Sequence, residues 1–548
     1  MSGLATDYIA DLKREFSGYS AELFGKDALA GATVAAVALP LALAFGVGSG
    51  VDAAAGLISA IVSALVIGGL SGASFQISGP TGAMTAVLIP LSVRFGFSGI
   101  LAAGVVSGIL LVLAGLTKAG RLVNIIPMPV ITGFTSGIAI VIALGQVEPF
   151  LGVASKGVET LERVYNIFAH GLTPNPHAVA VGASVLLLLI VWPAKWASRV
   201  PGSLAGIVLA ATASSALNLP VATVGEIPKT LLHESRLTLD ALSFPEPILV
   251  AGASIAALGM IESLLCGLAG GRMKGEKLNV DRELIAQGLG NIVLPFLGGV
   301  PATAAIARTS VAIKSGCRTR LTGIVQGVIL SLSMFLLGPF MSKIPLAALA
   351  GVLMVTAWRM NEWHSIRYIF GRKFRSGAAS FLITLVATVV FDLTIAIAAG
   401  VVFAVVVFVA RLSELEVTVS EIDPDRLRGK SGPRVHAQVV YVTGPIFFAA
   451  TERFEAALHR ADAQALVFSM RGVPYIDASG AQMLWNFCTS QKKKGVIVFF
   501  SALQPKVREL LNRAGIGSIV GKDAFFDDAL SAIEALSKRE PALEEYNL

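Results

Sequence analysis

The sequence is poor in charged residues. Asp, Glu, Lys and Arg make up 14% of its 548 residues, whereas soluble globular domains carry about 25%. Hydrophobic residues make up 54%, which excludes a soluble enzyme of this length and an intrinsically disordered chain. Aromatic residues are scarce at 7%, while glycine is abundant at 56 residues. Small residues allow helices to pack closely in lipid, so the composition predicts a polytopic membrane protein.

Cysteine is also scarce. Cys266, Cys317 and Cys488 are odd in number and far apart, which excludes a disulfide framework and the spacing of a zinc site. The net charge of +7 does not indicate nucleic-acid binding, because the basic residues lie in short connections between apolar runs, as the positive-inside rule expects. No cofactor, no metal and no catalytic constellation is predicted, so we do not expect an enzyme.

Apolar stretches of spanning or near-spanning length run from Asp27 to Arg411 and divide into fourteen segments. They cover residues 28–49, 53–71, 76–93, 98–117, 123–147, 178–194, 201–218, 247–270, 281–298, 302–315, 320–341, 345–360, 376–392 and 393–411. An even number places both termini on one side, and the distribution of Lys and Arg among the loops makes that side the cytoplasm. Residues 1–26 contain no signal-peptide core and are predicted to form a cytoplasmic amphipathic segment, whose apolar face consists of Tyr8, Ile9, Leu12 and Phe16 at helical spacing.

The composition changes after residue 411. Residues 412–435 are polar and contain Pro and Gly, which predicts a linker. From residue 436 to 548 the pattern is that of a soluble α/β domain. AQVVYVT, PIFFAAT, ALVFSM and VIVFFSA are predicted strands, and TERFEAALHRA, SGAQMLWNFCTSQKKK and KVRELLNRAG are predicted helices.

Two membrane segments are interrupted where a helix should begin. The third contains Gly79, Pro80 and Gly82, and the tenth contains Gly298, Gly299 and Pro301. Paired Gly/Pro-interrupted segments in corresponding halves indicate a transporter site between inverted repeats. Helix N-termini inside the membrane would present free N–H groups and partial positive charge to an anion. The candidate binding residues are Ser78, Thr81, Gly82, Ala83, Ala302, Thr303, Ala304 and Ala305. The alternative is that Pro and Gly only kink two packed helices.

Glu262 is the only carboxylate that the sequence places well inside an apolar segment. A charge at that depth is costly and therefore a functional candidate. If it lay about 6 Å from a bound anion, the repulsion would be about 3 kcal/mol at an effective dielectric near 20. An ionised Glu262 would then exclude the anion and a protonated one would tolerate it, which predicts proton–anion symport. The alternative is a structural carboxylic acid bonded to neighbouring backbone.

Two further side chains are candidates for the same pocket. Arg308, in the tenth segment, either supplies positive charge behind the site or extends to the cytoplasmic surface. Phe45, in the proline-containing first segment, either lines the pocket or packs elsewhere.

The motifs LPLALAFG, QISGPTGAMT, PVITGFTSGIAI, IESLLCG, ELIAQGLGNI and GGVPATAAIART resemble those of the sulfate permease (SulP) anion transporters, also called solute carrier family 26. GPIFFAA and IDASG resemble a C-terminal STAS domain of this family. The resemblance covers nearly the whole chain. It implies a seven-plus-seven inverted repeat with a core and a gate domain, alternating access, a homodimer and a multi-pass location in the inner membrane.

Within this family, IESLLC and ATAAIAR are most similar to bacterial proton-coupled transporters of four-carbon dicarboxylates. Sodium-dependent bicarbonate transporters of the family have aspartate and threonine where this chain has Glu262 and Cys266. A thiol is a poor ligand for a hard cation, which favours protons over sodium. The resemblance also implies an anion between Thr81 and the Ala304–Ala305 pair, beside Phe45.

The resemblance to regulatory STAS domains points to Ser479, with Asp477 two residues before it. Ser479 is either a phosphorylation switch or, as we expect, the N-cap of the helix that follows. A cytosolic protein that binds this domain is a possible partner.

The leading hypothesis is a proton-coupled symporter of dicarboxylates such as succinate or fumarate. A sulfate or bicarbonate transporter of the same family is the first alternative, and a proton-coupled nucleobase carrier is another. From a different class, the chain could be a membrane sensor that signals through the STAS domain.

Overall fold

A computed structural model of the chain describes residues 2–121, 126–155, 160–171, 173–197, 200–238, 245–391, 393–413, 415–422, 436–458 and 461–538. These residues form two compact units, Met1–Val401 and Val402–Leu548. The division lies inside the helix Leu393–Leu412, upstream of residue 411, where the sequence predicts that the membrane part ends.

The first half of the N-terminal unit is helical apart from one short strand. Its elements are α1 (Ser2–Glu15), α2 (Ala21–Gly48), α3 (Ala53–Val62), α4 (Gly68–Leu70), β1 (Ser78–Gly79), α5 (Gly82–Leu116), α6 (Met128–Gly145), α7 (Val147–Leu151), α8 (Thr160–Ala169), α9 (Pro176–Val191), α10 (Ala194–Ala197) and α11 (Gly202–Ala216). A π-helical turn, Ser63–Ile67, joins α3 to α4. Gly96 has non-helical backbone angles and divides α5 into two helices, which correspond to the third and fourth predicted segments.

The second half of the N-terminal unit is likewise helical apart from one short strand. Its elements are α12 (Glu246–Lys274), α13 (Val280–Leu297), β2 (Thr303–Ala304), α14 (Ile306–Lys314), α15 (Leu321–Met341), α16 (Leu346–Met360), α17 (Trp363–Gly371), α18 (Arg375–Val390) and α19 (Leu393–Leu412). Each of the fourteen predicted segments falls on one of these helices, on α3 continued by α4, or on one half of the broken α5. Residues 123–125 and 392 of those segments lie outside the described residues.

By length and composition, six helical stretches among the described residues can each cross a membrane. They are Ala21–Gly48, Ala53–Leu70, Gly82–Leu116, Met128–Leu151, Glu246–Lys274 and Leu321–Met341. Shorter apolar helices, such as α9, α11, α16 and α18, account for most of the other predicted segments. The helix starts follow local chemistry, because the side chains of Asp52 and Asn279 accept hydrogen bonds from the first turns of α3 and α13.

The membrane helices pack in two groups. In the first group, α5 lies against α12 and α13, and α2 lies against α3, α14 and α15. In the second, α6 packs on α18 and α16, and α16 packs on α9. Small residues permit the close approach: a Cβ added to Gly108 would lie 2.7 Å from the carbonyl oxygen of Gly288, and Gly288 faces Gly108 in the same way.

The C-terminal unit is a five-stranded sheet covered by helices. Its strands are β3 (Glu416–Glu421), β4 (Ala437–Thr443), β5 (Ala465–Gly472), β6 (Ile497–Ser501) and β7 (Phe525–Phe526), and they are ordered β3-β4-β5-β6-β7. The β3–β4 pair is antiparallel, and the other pairs are parallel. Its helices are α20 (Thr451–Leu458), α21 (Ala478–Lys493), α22 (Pro505–Arg513), α23 (Ile516–Val520) and α24 (Ala529–Lys538).

Two predictions for this unit are wrong. The predicted linker 412–435 contains the strand β3, whose residues alternate between polar and apolar as an edge strand does. PIFFAAT is not a strand: Ile446 forms a single bridge with Ile476, and the chain turns into α20. The other predicted strands and helices are present.

Candidate functional site

The two interrupted segments meet at a pair of short strands. β1 and β2 are antiparallel, with Ser78 opposite Ala304 and Gly79 opposite Thr303. α5 begins at Gly82 and α14 at Ile306, each within three residues of its strand. The sequence predicts the two helix starts separately. The strand pairing brings them to one place, so that both partial positive charges act on the same volume.

The two helix starts are capped differently. The hydroxyl of Thr81 accepts a hydrogen bond of 3.2 Å from the backbone N–H of Met84, which caps α5. At α14 the N-cap residue is Ala305, whose side chain has no acceptor. Ile306, the first residue of that helix, is 47% exposed. The first N–H groups of α14 thus have neither a partner within the helix nor a side-chain cap.

Glu262 lies on α12 beside both starts. Its Oε2 accepts a hydrogen bond of 2.9 Å from the hydroxyl of Thr81, and its side chain is partly exposed. The next residue, Ser263, shares a hydrogen bond of 2.7 Å with the hydroxyl of Thr303 and accepts one of 3.3 Å from the backbone N–H of Ala304. Adjacent residues of one helix thus contact the N-cap of α5 and the strand that precedes α14.

Arg308 is buried in the site and does not extend to the surface. It is 1% exposed, and its Nη2 donates a hydrogen bond of 2.8 Å to the carbonyl oxygen of Pro80. Its Nη1 has no hydrogen-bond partner among the described residues. A buried positive charge with one free donor therefore stands beside the two helix starts.

The apolar side of the site contains Phe45, Ala83 and a residue that sequence reasoning missed. Phe45 and Ala83 are buried. A Cβ added to Gly82 would lie 3.4 Å from the Phe45 ring and 2.6 Å from Cδ1 of Ile142, on α6. Ile142 carries no local signature, since it is one apolar residue within an apolar segment, and only the packing of α6 against α5 brings it here.

A row of polar side chains on α13 supports both strands. The side chain of Asn291 donates to the carbonyl oxygen of Ala302 at 2.9 Å and accepts from its N–H at 2.8 Å. Nε2 of Gln287 donates to the hydroxyl of Ser78 at 2.8 Å. Sequence reasoning missed both residues. The signal that could have found them is the four-residue spacing of Glu283, Gln287 and Asn291, which places all three on one face of a helix.

Glu283 is a second buried carboxylate, at the edge of a predicted segment and not well inside one as Glu262 is. Glu283 is fully buried. It accepts hydrogen bonds from the hydroxyl of Ser71 at 2.6 Å, from the N–H of Gly72 at 2.9 Å and from Nε2 of Gln287 at 2.8 Å. It lies in the first turn of α13, which is why a pattern search for charges deep inside an apolar run does not find it.

The thiol of Cys266 belongs to the framework of the site. It donates a hydrogen bond of 3.3 Å to the hydroxyl of Thr309, which also accepts one of 3.0 Å from the N–H of Ile77. Among the described residues, no group of three or more His, Cys, Asp or Glu side chains could hold a metal ion.

In the C-terminal unit the expected cap is wrong. Asp477, not Ser479, is the N-cap of α21: its Oδ1 accepts from the N–H of Gly480 at 2.8 Å, and its Oδ2 accepts from the N–H of Phe448 at 3.0 Å. Ser479 lies in the first turn and is exposed. The capping role that we expected for Ser479 is performed two residues earlier, by Asp477.

Comparison with known proteins finds two family models that together cover most of the chain. The family model described as the sulfate permease family matches residues 24–384, and the STAS domain model matches residues 433–532. The putative sulfate transporter YvdB of Bacillus subtilis (strain 168) is 35% identical over 529 residues, covering 93% of this chain and 98% of the relative. The bicarbonate transporter BicA of Synechocystis sp. is 28% identical over 555 residues, covering 95% of each chain.

Solved structures show the same fold. Murine solute carrier 26 family member A9 in the inward-facing state superposes with a TM-score of 0.82 at 15% identity, covering 94% of this chain and 91% of that one. The transmembrane domain of a cyanobacterial bicarbonate transporter, BicA, gives a TM-score of 0.63 at 28% identity, covering 68% of this chain and 97% of that one.

Proposed function

Because this chain belongs to the sulfate permease family of membrane anion transporters, we propose that it carries a dicarboxylate, such as succinate or fumarate, together with protons by alternating access. The anion binds between the N-termini of α5 and α14. Glu262 is the carboxylate that couples proton binding to anion binding.

The hydrogen bond between Thr81 and Glu262 is the observation that carries this proposal. An ionised Glu262 holds the hydroxyl proton of Thr81 and repels an anion at the start of α5. When Glu262 takes up a proton, that repulsion ends and the Thr81 hydroxyl is free to donate to the anion. Proton binding and anion binding therefore favour one another at a single place, which is the requirement for symport.

The charge of the site favours a dianion. Each helix N-terminus is equivalent to about half a positive charge, and Arg308 adds one. With Glu262 protonated the sum is about +2, which matches succinate, fumarate or sulfate better than the monoanion bicarbonate. With Glu262 ionised the positive charge of the site falls to about +1, so part of the charge of a bound dianion is not compensated.

The apolar side of the site favours a carbon chain between the two charges. This side consists of Phe45, Ala83 and Ile142. Their side chains have no hydrogen-bond donor for the oxygens of sulfate, but they can pack on methylene groups. Sulfate is the second candidate, since the relative YvdB is described as a putative sulfate transporter.

The test is uptake of radiolabelled succinate by the full chain in proteoliposomes, with and without an inward proton gradient and with unlabelled sulfate or bicarbonate as competitor. We expect uptake that the proton gradient stimulates, that a protonophore abolishes and that replacing sodium leaves unchanged. Gradient-driven sulfate uptake without succinate uptake would transfer the proposal to sulfate. Stimulation by sodium alone would overturn proton coupling. Anion binding without any transport would favour a sensor.

We propose an inner-membrane homodimer with residues 1–26 and the C-terminal STAS domain, residues 436–548, in the cytoplasm. The excess of Lys and Arg in the loops on the cytoplasmic side supports this orientation. A cytosolic protein that binds the STAS domain near the exposed Ser479 would add regulation.

A further inference from the structure

The first helix is docked on the membrane unit through one specific face. Tyr8, Asp11 and Glu15 are spaced three and four residues apart, so they project from the same side of α1. The hydroxyl of Tyr8 donates to the carbonyl oxygen of Gly69 at 2.8 Å. Asp11 accepts from Nη1 of Arg282 at 2.5 Å. These contacts reach the end of α4 and the start of α13.

Glu15 makes the most buried contact of this face. Its carboxylate accepts from the backbone N–H of Arg320 at 2.7 Å and from the Nη2 of the same residue at 2.8 Å. The two side chains are 10% and 4% exposed. The ring of Tyr8 lies 5.5 Å from the guanidinium of Arg282 and 5.3 Å from that of Arg320, within cation–π distance of both. Of the residues that the sequence places on the apolar face of this segment, Tyr8 lies on the docked face, whereas Ile9 is 52% exposed.

The docked face is joined to the anion site by consecutive hydrogen bonds. Arg320 donates from Nη1 to the carbonyl oxygen of Gly69 at 2.6 Å. Two and three residues further along the chain, the hydroxyl of Ser71 and the backbone N–H of Gly72 donate to Glu283. The contact is tight, because a Cβ added to Gly72 would lie 2.1 Å from the carbonyl oxygen of Asn279.

From Glu283 the connection continues into strand β1. Gln287 bridges Glu283 to Ser78, with 2.8 Å to each acceptor, and Ser78 lies opposite Ala304 in the strand pair. The hydrogen bonds from residues 71 and 72 through Glu283 and Gln287 to Ser78 are buried, whereas those that Tyr8 and Arg320 make to Gly69 are partly buried. Residues 69–72, at the end of the second membrane segment, lie between α1 and this row of α13 side chains.

We propose that Tyr8, Asp11 and Glu15 are positioning residues of the anion site, which hold residues 69–72 against Glu283 and thereby fix strand β1. The proposal rests on the anion site described under Proposed function. It makes the first helix part of the transport machinery, although none of its residues contacts the anion.

The test uses a double-mutant cycle on the Asp11–Arg282 pair in the full chain, purified in nanodiscs: Asp11→Asn, Arg282→Gln and both together. Tyr8→Phe, which keeps the ring and removes only the hydroxyl, is a milder second variant in case the charge variants do not fold. Lys13→Ala, on the exposed side of α1, is the matched control. The readouts are hydrogen–deuterium exchange of the peptide 71–84 without any anion, and the dissociation constants of sulfate and of succinate.

We expect each single variant to speed exchange of that peptide and to weaken anion binding, each by about threefold to tenfold, with the double variant no worse than either single. Lys13→Ala should behave as the wild type. Faster exchange confined to α1, with unchanged exchange at residues 71–84 and unchanged dissociation constants, would overturn the proposal. A wild-type protein that binds neither anion would contradict the proposed function, and the exchange measurement would still decide whether α1 positions β1.

Discussion

The guanidinium of Arg308 occupies the space beside Gly79, so that a side chain on Gly79 would meet it. A Cβ at Gly79 would lie 2.5 Å from Nη1 of Arg308. The glycine in the first interrupted segment is therefore matched to an arginine from the second. Two features therefore require glycine at this position. One is the local backbone, with φ at +155°, and the other is Arg308, a residue from the other half of the membrane unit.

Gly79→Ala should displace Arg308 and lower anion uptake by about tenfold or more, because overpacking a buried site costs about 1–3 kcal/mol. Gly25→Ala is the control, since nothing lies within 4 Å of a Cβ added there. The measurement is initial uptake per folded transporter in proteoliposomes. Wild-type uptake by Gly79→Ala would contradict the role assigned to the Gly79–Arg308 contact.

Glu262→Gln should abolish uptake driven by a proton gradient while retaining anion exchange, because glutamine resembles the protonated carboxylic acid and cannot release a proton. Exchange is measured as loss of internal labelled anion to unlabelled anion outside. Glu246→Gln, at the exposed start of the same helix, is the matched control. Full gradient-driven uptake by Glu262→Gln would remove it as the coupling group.

His233 should make thermal stability depend on pH. Its Nε2 lies 2.6 Å from Oδ2 of Asp52, and this hydrogen bond raises the pKa of His233 above its usual value. The folded pKa exceeds the unfolded one, so the contribution is complete below about pH 6.5 and is lost as the pH rises through the raised pKa.

The loss of Tm in His233→Gln relative to wild type should therefore be largest near pH 6 and shrink toward about pH 9. Thermal melts of the purified chain over this range check the prediction, with the exposed His177→Gln as control. A constant difference across the range would show that the charged pair does not contribute.

In the C-terminal unit, Asp477→Ala should destabilise the start of α21 by about 1 kcal/mol through loss of the cap. Ser479→Ala should stay within about 0.5 kcal/mol, as is usual for an exposed residue. Hydrogen–deuterium exchange of peptides covering residues 446–482 in the full chain distinguishes them. Equal protection of these peptides in the two variants would contradict the capping role assigned to Asp477.

The order of the membrane segments could be predicted from the sequence because spanning length and hydropathy are properties of a continuous stretch. The interruptions at residues 79–82 and 298–301 could be predicted for the same reason, since Gly and Pro act on their own backbone. Strand β3 was missed because its polar flanks resemble a linker. PIFFAAT was predicted as a strand because its residues favour that conformation, but a strand also needs a neighbouring strand to pair with, and residue preference does not provide one.

The sequence by itself therefore determined a multi-segment membrane protein, two broken helices and a carboxylate at Glu262. Tertiary structure alone decided that the breaks pair as β1 and β2, that Arg308 points at Pro80, and that Ile142 and Glu283 join the surroundings of the site. The physical reason is distance along the chain: hydropathy and capping act within a few residues, whereas these contacts join residues from different helices and exist only after the helices have packed.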